Sequence, residues 1–259
     1  MDYAHIRLEQ SPDAVATLTI NRPDSLNALS STTLDEMRHA VESLERSGAR
    51  ALMLTGAGRG FSSGADLASD GGLPEDVGAA LEAHFNPLVE ALFACPLPIV
   101  SAVNGPCAGA GCSIALAADI VIAGRSAYFL QAFVNIGLIP DAGATWLLPR
   151  LVGRARAMEM MMLGERIPAE KAAEWGMISR IVEDADLAEE GLALATRLAQ
   201  GPTAAYGLIR RLARDAEQST LTEALAAERI AQREAGWTGD FKSAVLAFLQ
   251  KQKPTFRGK

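Results

Sequence analysis

Residues 97–123 read LPIVSAVNGPCAGAGCSIALAADIVIA, and this stretch decides the fold class. Leu97–Val103 is a short apolar run of strand length, and Ile120–Ala123 is a second. Between them the turn Asn104-Gly105-Pro106 leads into Gly109–Ala118, a helix of mostly small residues that opens on Gly109-Ala110-Gly111. A strand, a turn, a helix and another strand in so short a span are the unit of an α/β fold with parallel pairing. Small residues let a helix pack closely on a sheet. They equally leave room for a ligand against the backbone of its first turn. From these residues alone both uses stand.

The alternation continues toward the N-terminus. Ala14–Ile20 is a β-branched strand between Pro12-Asp13 and Asn21-Arg22-Pro23. Thr32–Arg46 places Leu34, Met37, Val41 and Leu44 at helical spacing, with Thr33 and Glu36 as a capping box and Gly48 as the stop. Arg50–Thr55 is a further strand, followed by a glycine-dense turn within Thr55–Leu67, TGAGRGFSSGADL. Such a turn presents free backbone N–H groups to whatever lies in front of it, or binds nothing and only reverses the chain. No Gly-Lys-Ser/Thr follows, so it is not a P-loop. Ser69–Pro74 is the most loop-like segment. From Ala185 onward the strands all but cease: Ala185–Gln200, Pro202–Ala216, Leu221–Arg233 and Asp240–Gln252 all read as helices. This divides the chain into an α/β core over 1–195 and a helical part over 196–259.

The bulk numbers suit that plan. The 259 residues, 49% hydrophobic, fill one large domain or one domain with a helical appendage. A formal net charge of −7 leaves no basic excess for a nucleic acid, so no nucleic-acid partner is expected. Cys95, Cys107 and Cys112 have neither disulfide-framework nor zinc-ligand spacing and read as free thiols of a reducing cytoplasm. MDYAHIRLEQ lacks the basic start of a signal peptide, and the longest apolar stretch is interrupted by Asp119 and too short for a bilayer. A cytoplasmic location without membrane attachment is the expectation. No metal ligand cluster or dinucleotide fingerprint is present, so no metal or separate cofactor is expected.

Two further segments carry candidate chemistry. In Ile136–Arg150, IGLIPDAGATWLLPR, Asp141 follows a proline and precedes what reads as a helix start, the usual setting of a plain N-cap carboxylate. The C-terminal AFLQKQKPTFRGK, with Phe248, Lys251 and Lys253, reads as a helix end whose basic residues favour the helix dipole.

Taken in order, these segments resemble the crotonase, or enoyl-CoA hydratase/isomerase, superfamily over nearly the whole chain. NRPDSLNAL at Asn21–Leu29 is similar to its first signature, TGAGRGFSSGADL and AVNGPCAGAG to its two oxyanion motifs, and LIPDAGATWLLPR through GERIPAEKAAEWGMISRIV to the segment that follows. IGLIPDAGATWLLPR, GRARAM and EWGMI most resemble the branch of ring-epoxide isomerases that act on phenylacetyl-CoA derivatives. The resemblance implies a spiral of ββα units, a helical C-terminal part that forms homotrimers or hexamers, and an acyl-CoA thioester as substrate. Coenzyme A enters only as part of that substrate. The resemblance also implies that the backbone N–H groups of Ala65 and Ala110 hold the thioester oxygen as an enolate forms.

Classical hydratases of this family carry glutamates at the positions of Ser113 and Phe133, and neither residue is acidic here. Hydration needs a base for water and an acid for carbon, whereas double-bond migration needs one carboxylate to take a proton and return it. Asp141 stands where the dienoyl-CoA and ring-epoxide isomerases keep an essential aspartate. The implied catalytic set is therefore Asp141, Ala65 and Ala110. The implied substrate path runs along Arg22, Ser25, Ala28, Ser63, Ala65, Asp66, Leu67, Gly109, Phe133 and Ile136, with Phe248 and Lys251 closing over the nucleotide from the same or a neighbouring subunit. Phe133, Ile136, Leu138 and Ile139 are expected to make an apolar pocket. Burial would raise the Asp141 pKa and a helix N-terminus would lower it. Asp66 is expected at a helix start, Asp119 as a turn anchor, Asp70–Phe85 as a lid or pocket wall, and His84 as a solvated loop residue. The competing functions are a hydratase that activates water through another group, and a non-catalytic CoA- or RNA-binding scaffold.

Overall fold

The computed structural model describes residues 2–67 and 76–259. Strand β1 (Ile6–Gln10) pairs antiparallel with β2 (Val15–Ile20). Helix α1 (Ser31–Ser47) then returns the chain to β3 (Ala51–Gly56), parallel to β2. A helical stretch follows: α2 (Val77–Ala80), a π-helical turn over Leu81–Phe85, and α3 (Asn86–Ala94). It delivers β4 (Ile99–Val103), parallel to β3. Next come β5 (Pro106–Ala108), α4 (Ala110–Leu116), β6 (Ile120–Gly124) and β7 (Tyr128–Leu130). Helix α5 (Ala144–Leu163), broken at Gly153, leads to β8 (Ile167–Pro168), α6 (Ala169–Glu174) and β9 (Arg180–Val182). Helices α7 (Leu187–Ala199), α8 (Thr203–Ala216), α9 (Leu221–Trp237) and α10 (Gly239–Leu249) complete the chain. The main sheet has the order β1-β2-β3-β4-β6-β9, and β5-β7-β8 form a smaller one.

The central strands are apolar without alternation because both faces are covered, as a parallel sheet requires. One face packs on α1, α3 and α4 through Leu34, Met37, Leu44, Leu88, Leu92 and Ile114. The other, made of Val15, Ala51, Met53, Val100, Ala102 and Ile122, is covered by Leu187, Ala195 and Ala199 of α7. Gly191 permits that approach, since a Cβ there would stand 3.1 Å from the Met53 sulfur and 3.2 Å from Ala102 Cβ.

The predicted capping box on α1 is not formed. Ser30 caps the helix, its hydroxyl accepting the Thr33 N–H at 3.3 Å. Glu36 instead accepts the N–H groups of Ala4 and His5 at 2.7 and 2.8 Å, tying the approach to β1 to the helix. The predicted loop-and-lid segment lies partly outside the described residues. Within them His84 belongs to the π-helical turn and bonds Asp35 of α1 at 3.0 Å.

Arg210 of α8 is the clearest tie between the core and the helical part. Its guanidinium is buried, donates to the carbonyls of Cys95, Leu97 and Leu92 at the end of α3, and pairs with Asp119 at 2.9 Å. Asp119 in turn accepts the Ile99 N–H at 2.7 Å, so it anchors the start of β4, in keeping with its expected structural part. Replacing Arg210 would strand these carbonyls and one carboxylate. Arg210→Ala is expected to lower unfolding free energy by about 3 kcal/mol in urea titration. A loss below about 1 kcal/mol would mean that water satisfies the freed groups.

Candidate active site

Two backbone segments build the floor of the site. Residues 62–65 and 107–110 run side by side: Ser62 N–H donates to Pro106 O at 3.1 Å and Ala108 N–H to Ser62 O at 2.9 Å. Gly64 and Gly109 then pass almost backbone to backbone. A Cβ on Gly64 would meet Ala108 O at 3.0 Å and Gly109 Cα at 3.5 Å, and both glycines have positive φ, +94° and +53°. The residues that follow them, Ala65 and Ala110, therefore come from adjacent strands of chain. Leu29 N–H donates to Gly64 O and Asp66 N–H to Leu29 O, which leaves the Ala65 N–H outside that ladder. Ala110 is the first residue of α4, so its N–H has no helical acceptor behind it. Two such donors close together can hold a developing oxyanion.

A third segment locks the first of these. Leu26 and Asn27 are both left-handed, with φ of 53° and 57°. Asn27 is fully buried: its Oδ1 accepts the Arg22 N–H at 2.8 Å, and its Nδ2 donates to Ala57 O and Gly60 O at 2.9 and 2.7 Å. Ser62 Oγ donates to Asn27 O at 2.8 Å. Asn27 thus binds the 22–29 turn to the glycine-dense turn, a role that the sequence analysis missed. Its only visible signal was an asparagine, which tolerates left-handed backbone, within NRPDSLNAL. Arg22 donates to Ala28 O at 2.6 Å and pairs with Asp66 at 2.8 Å. Asp66 is therefore seen as an ion-pair partner, while the residues beyond Leu67 that would form its helix lie outside the described ones. Ser63 bonds Ser25 O at 3.2 Å.

Asp141 is tied to α4 through its main chain. Ser113, one turn after Ala110, donates its hydroxyl to Asp141 O at 3.0 Å. Phe133 is buried, and its ring would lie 3.8 Å from a Cβ on Gly109. Asp141 is not the N-cap expected for it. Ala142 (φ 48°) and Gly143 (φ 83°) intervene in left-handed conformations, and Gly143 caps α5. Burial raises the Asp141 pKa to about 6. Asp141 Oδ1 is buried without a hydrogen-bond partner among the described residues. A carboxyl group poised near neutrality with a free oxygen can exchange a proton with a bound molecule.

The pattern of residues 10–259 matches the family model for enoyl-CoA hydratase/isomerase. The chain belongs to the enoyl-CoA hydratase/isomerase family. It is 47% identical over 250 residues to the 1,2-epoxyphenylacetyl-CoA isomerase of Escherichia coli K12, covering 95% of each chain. It is 44% identical over the full length of both chains to a protein of Rhodobacter capsulatus named probable enoyl-CoA hydratase. The solved enoyl-CoA hydratase of Bacillus anthracis superposes with a TM-score of 0.94 at 30% identity, covering 99% of this chain and 100% of the other. The fold is thus the crotonase fold, with mixed α/β content and a helical C-terminal region.

Within this family member, the residues expected to line the substrate path divide into two groups. Arg22, Ser25, Ala28, Ser63, Ala65, Asp66, Gly109 and Phe133 belong to the stapled turns or to the packing around α4, and Leu67 lies exposed at their edge. Ile136, Leu138 and Ile139 do not form the expected enclosed pocket with Phe133: within a single chain they are exposed, Ile139 by 79%. Phe248 is 80% exposed on α10, whose main contacts are with α9, and Lys251 lies just beyond it. Neither is drawn onto the stapled turns of its own chain by those contacts. Among the described residues no helix is long and apolar enough to cross a membrane.

Proposed function

We propose that this chain is an acyl-CoA isomerase, which moves a double bond or rearranges a ring epoxide of a CoA thioester. The observation that carries the proposal is the Asp141 carboxylate, joined through its main chain to Ser113 of the helix that begins at Ala110, with Ser113 and Phe133 at the two positions where the hydratases of the family carry glutamates. In the proposed reaction the Ala65 and Ala110 N–H groups receive the thioester oxygen. Asp141 removes a proton from the carbon next to the thioester of a 3-enoyl-CoA, giving a dienolate. The same carboxyl group returns that proton to the far end of the conjugated system, which leaves the 2-enoyl-CoA and regenerates the carboxylate. The likeness to the E. coli epoxyphenylacetyl-CoA isomerase supports a ring epoxide as the physiological substrate class.

Lys251 supplies positive charge for the CoA phosphates, while Arg22, matched by Asp66, lines the path. The C-terminal helices are proposed as the trimer surface, from which hexamers would form. Leu221, Trp237, Phe241, Phe248 and Leu249 are all exposed in one chain, and large apolar side chains exposed together mark interaction surfaces.

Hydration is the second reading, favoured by the full-length likeness to the R. capsulatus protein. Parallel assays of the purified protein with 3-enoyl-CoA and 2-enoyl-CoA decide between them. Isomerisation of the first without hydration of the second is the expected outcome. Rapid hydration of the second would replace the isomerase with a hydratase whose water is activated by some other group.

A further inference from the structure

Ser113 is left without a task by the isomerisation chemistry. It is 1% exposed, and its hydroxyl has two carbonyls within reach. One is Gly109 O, four residues back, at 3.5 Å, and the other is Asp141 O at 3.0 Å. A helical serine commonly bonds the carbonyl four residues before it. A hydroxyl has one proton to give, and here the shorter bond leaves the helix for the Asp141 main chain.

That main chain needs holding. Asp141 O also accepts the Ala144 N–H at 3.0 Å, but the two residues between them are both left-handed, and one is an alanine, for which that conformation is unfavourable. The side chain offers no help, because Asp141 Oδ1 is buried without a partner among the described residues. A carboxylate that is itself hydrogen-bonded is aimed by its partners. This oxygen has none, so its aim is set by the backbone that carries it, and Ser113 is the side chain that grips that backbone.

We infer that Ser113 is a positioning residue for the isomerisation, its hydroxyl fixing the Asp141 main chain so that a carboxylate whose buried Oδ1 has no partner among the described residues stays at the point of proton transfer. The inference rests on the assignment of proton transfer to Asp141. At a position where the hydratases of the family carry a glutamate, the serine is a hydrogen-bond donor to the protein.

Ser113→Ala is expected to lower kcat for 3-enoyl-CoA on the order of 10-fold, because small displacements of a reacting group are costly. KM should stay within about 2-fold, since no substrate contact is removed. The acidic limb of the kcat/KM profile should move down from about 6 toward ordinary carboxylate values as the loosened carboxyl group reaches water. Burial is the cause of the raised value, with no charged neighbour among the described residues contributing, so the limb reports the seating of Asp141 itself. Ser113→Thr restores the hydroxyl and should recover most of the rate. If Ser113→Ala lowers the melting temperature but leaves kcat and the limb in place, or if Ser113→Thr is as slow as Ser113→Ala at equal folded fraction, the inference fails. Ser113→Cys, similar in volume and a weak donor, takes the place of the alanine variant should that fail to fold, with the same expected losses. Activity retained by Asp141→Asn would sink the underlying assignment. An inactive Asp141→Asn beside a normal Ser113→Ala would sink only the present inference.

Discussion

Asp141→Asn should leave about one-thousandth of the isomerisation rate, the middle of the range for loss of a positioned acid–base group. The amide keeps the shape of the side chain and the Ser113 bond to the main chain, so substrate affinity should hold while kcat falls. The wild-type kcat/KM should rise with pH through about 6, because the ionised form is the base. The same variant should be the more stable protein at neutral pH. The folded pKa lies above the ordinary 3.8, so ionising the buried group costs stability progressively as pH rises from about 4 to about 6, and the cost is constant above that. Allowing for partial exposure, the asparagine variant should gain about 2 kcal/mol near pH 7.5 and nothing near pH 3.5. Thermal melts of both proteins across that range read the gain directly. Equal melting temperatures at both ends would show that Asp141 is solvated as an ordinary carboxylate.

Gly64→Ala carries the second large effect. The alanine would have to adopt φ of +94° with its Cβ 3.0 Å from Ala108 O, so the two floor segments must part. Strained backbone of this kind costs about 2 kcal/mol, which denaturant titration would read. The greater loss is expected in catalysis, because the strain falls on the residue immediately before Ala65. Withdrawing one oxyanion donor costs about 100-fold in kcat. A variant that is destabilised yet fully active would mean that the Ala65 N–H takes no part in the reaction.

Much of this architecture was legible because it rests on local rules. The β2–α1–β3 and β4–α4–β6 units follow from apolar runs, helical spacing and glycine stops, and α1 does end at Gly48 in a left-handed cap. Other features depend on partners distant in sequence. Glu36 looked like the second half of a capping box because Thr33 precedes it by three, but two N–H groups at the entry to β1 claim its carboxylate. Arg210 lies in the helix read over Pro202–Ala216, and only the tertiary packing sends it beneath α3. Asp141 is singled out by the sequence as an N-cap, but the cap of α5 is Gly143. Pro140-Asp141 resembles a helix start, and no periodicity reveals that Ala142 and Gly143 turn the chain left-handed first. The pocket expected around Ile136, Leu138 and Ile139 failed for a simpler reason: apolar letters say that a surface wants covering without saying which chain covers it.

The two N–H groups at Ala65 and Ala110 belong to the main chain. Proline alone would delete either N–H outright, although a larger side chain at fully buried Ala110 would displace it. On the proposed reaction, selection can therefore vary the proton-handling side chains while the chemical identity of these donors stays fixed. If those donors hold the enolate as proposed, a lineage could lose one reaction and acquire another without passing through an ancestor unable to stabilise it. Descendants that differ in reaction, as hydratases and isomerases do, would then be the ordinary outcome of drift around a resistant centre.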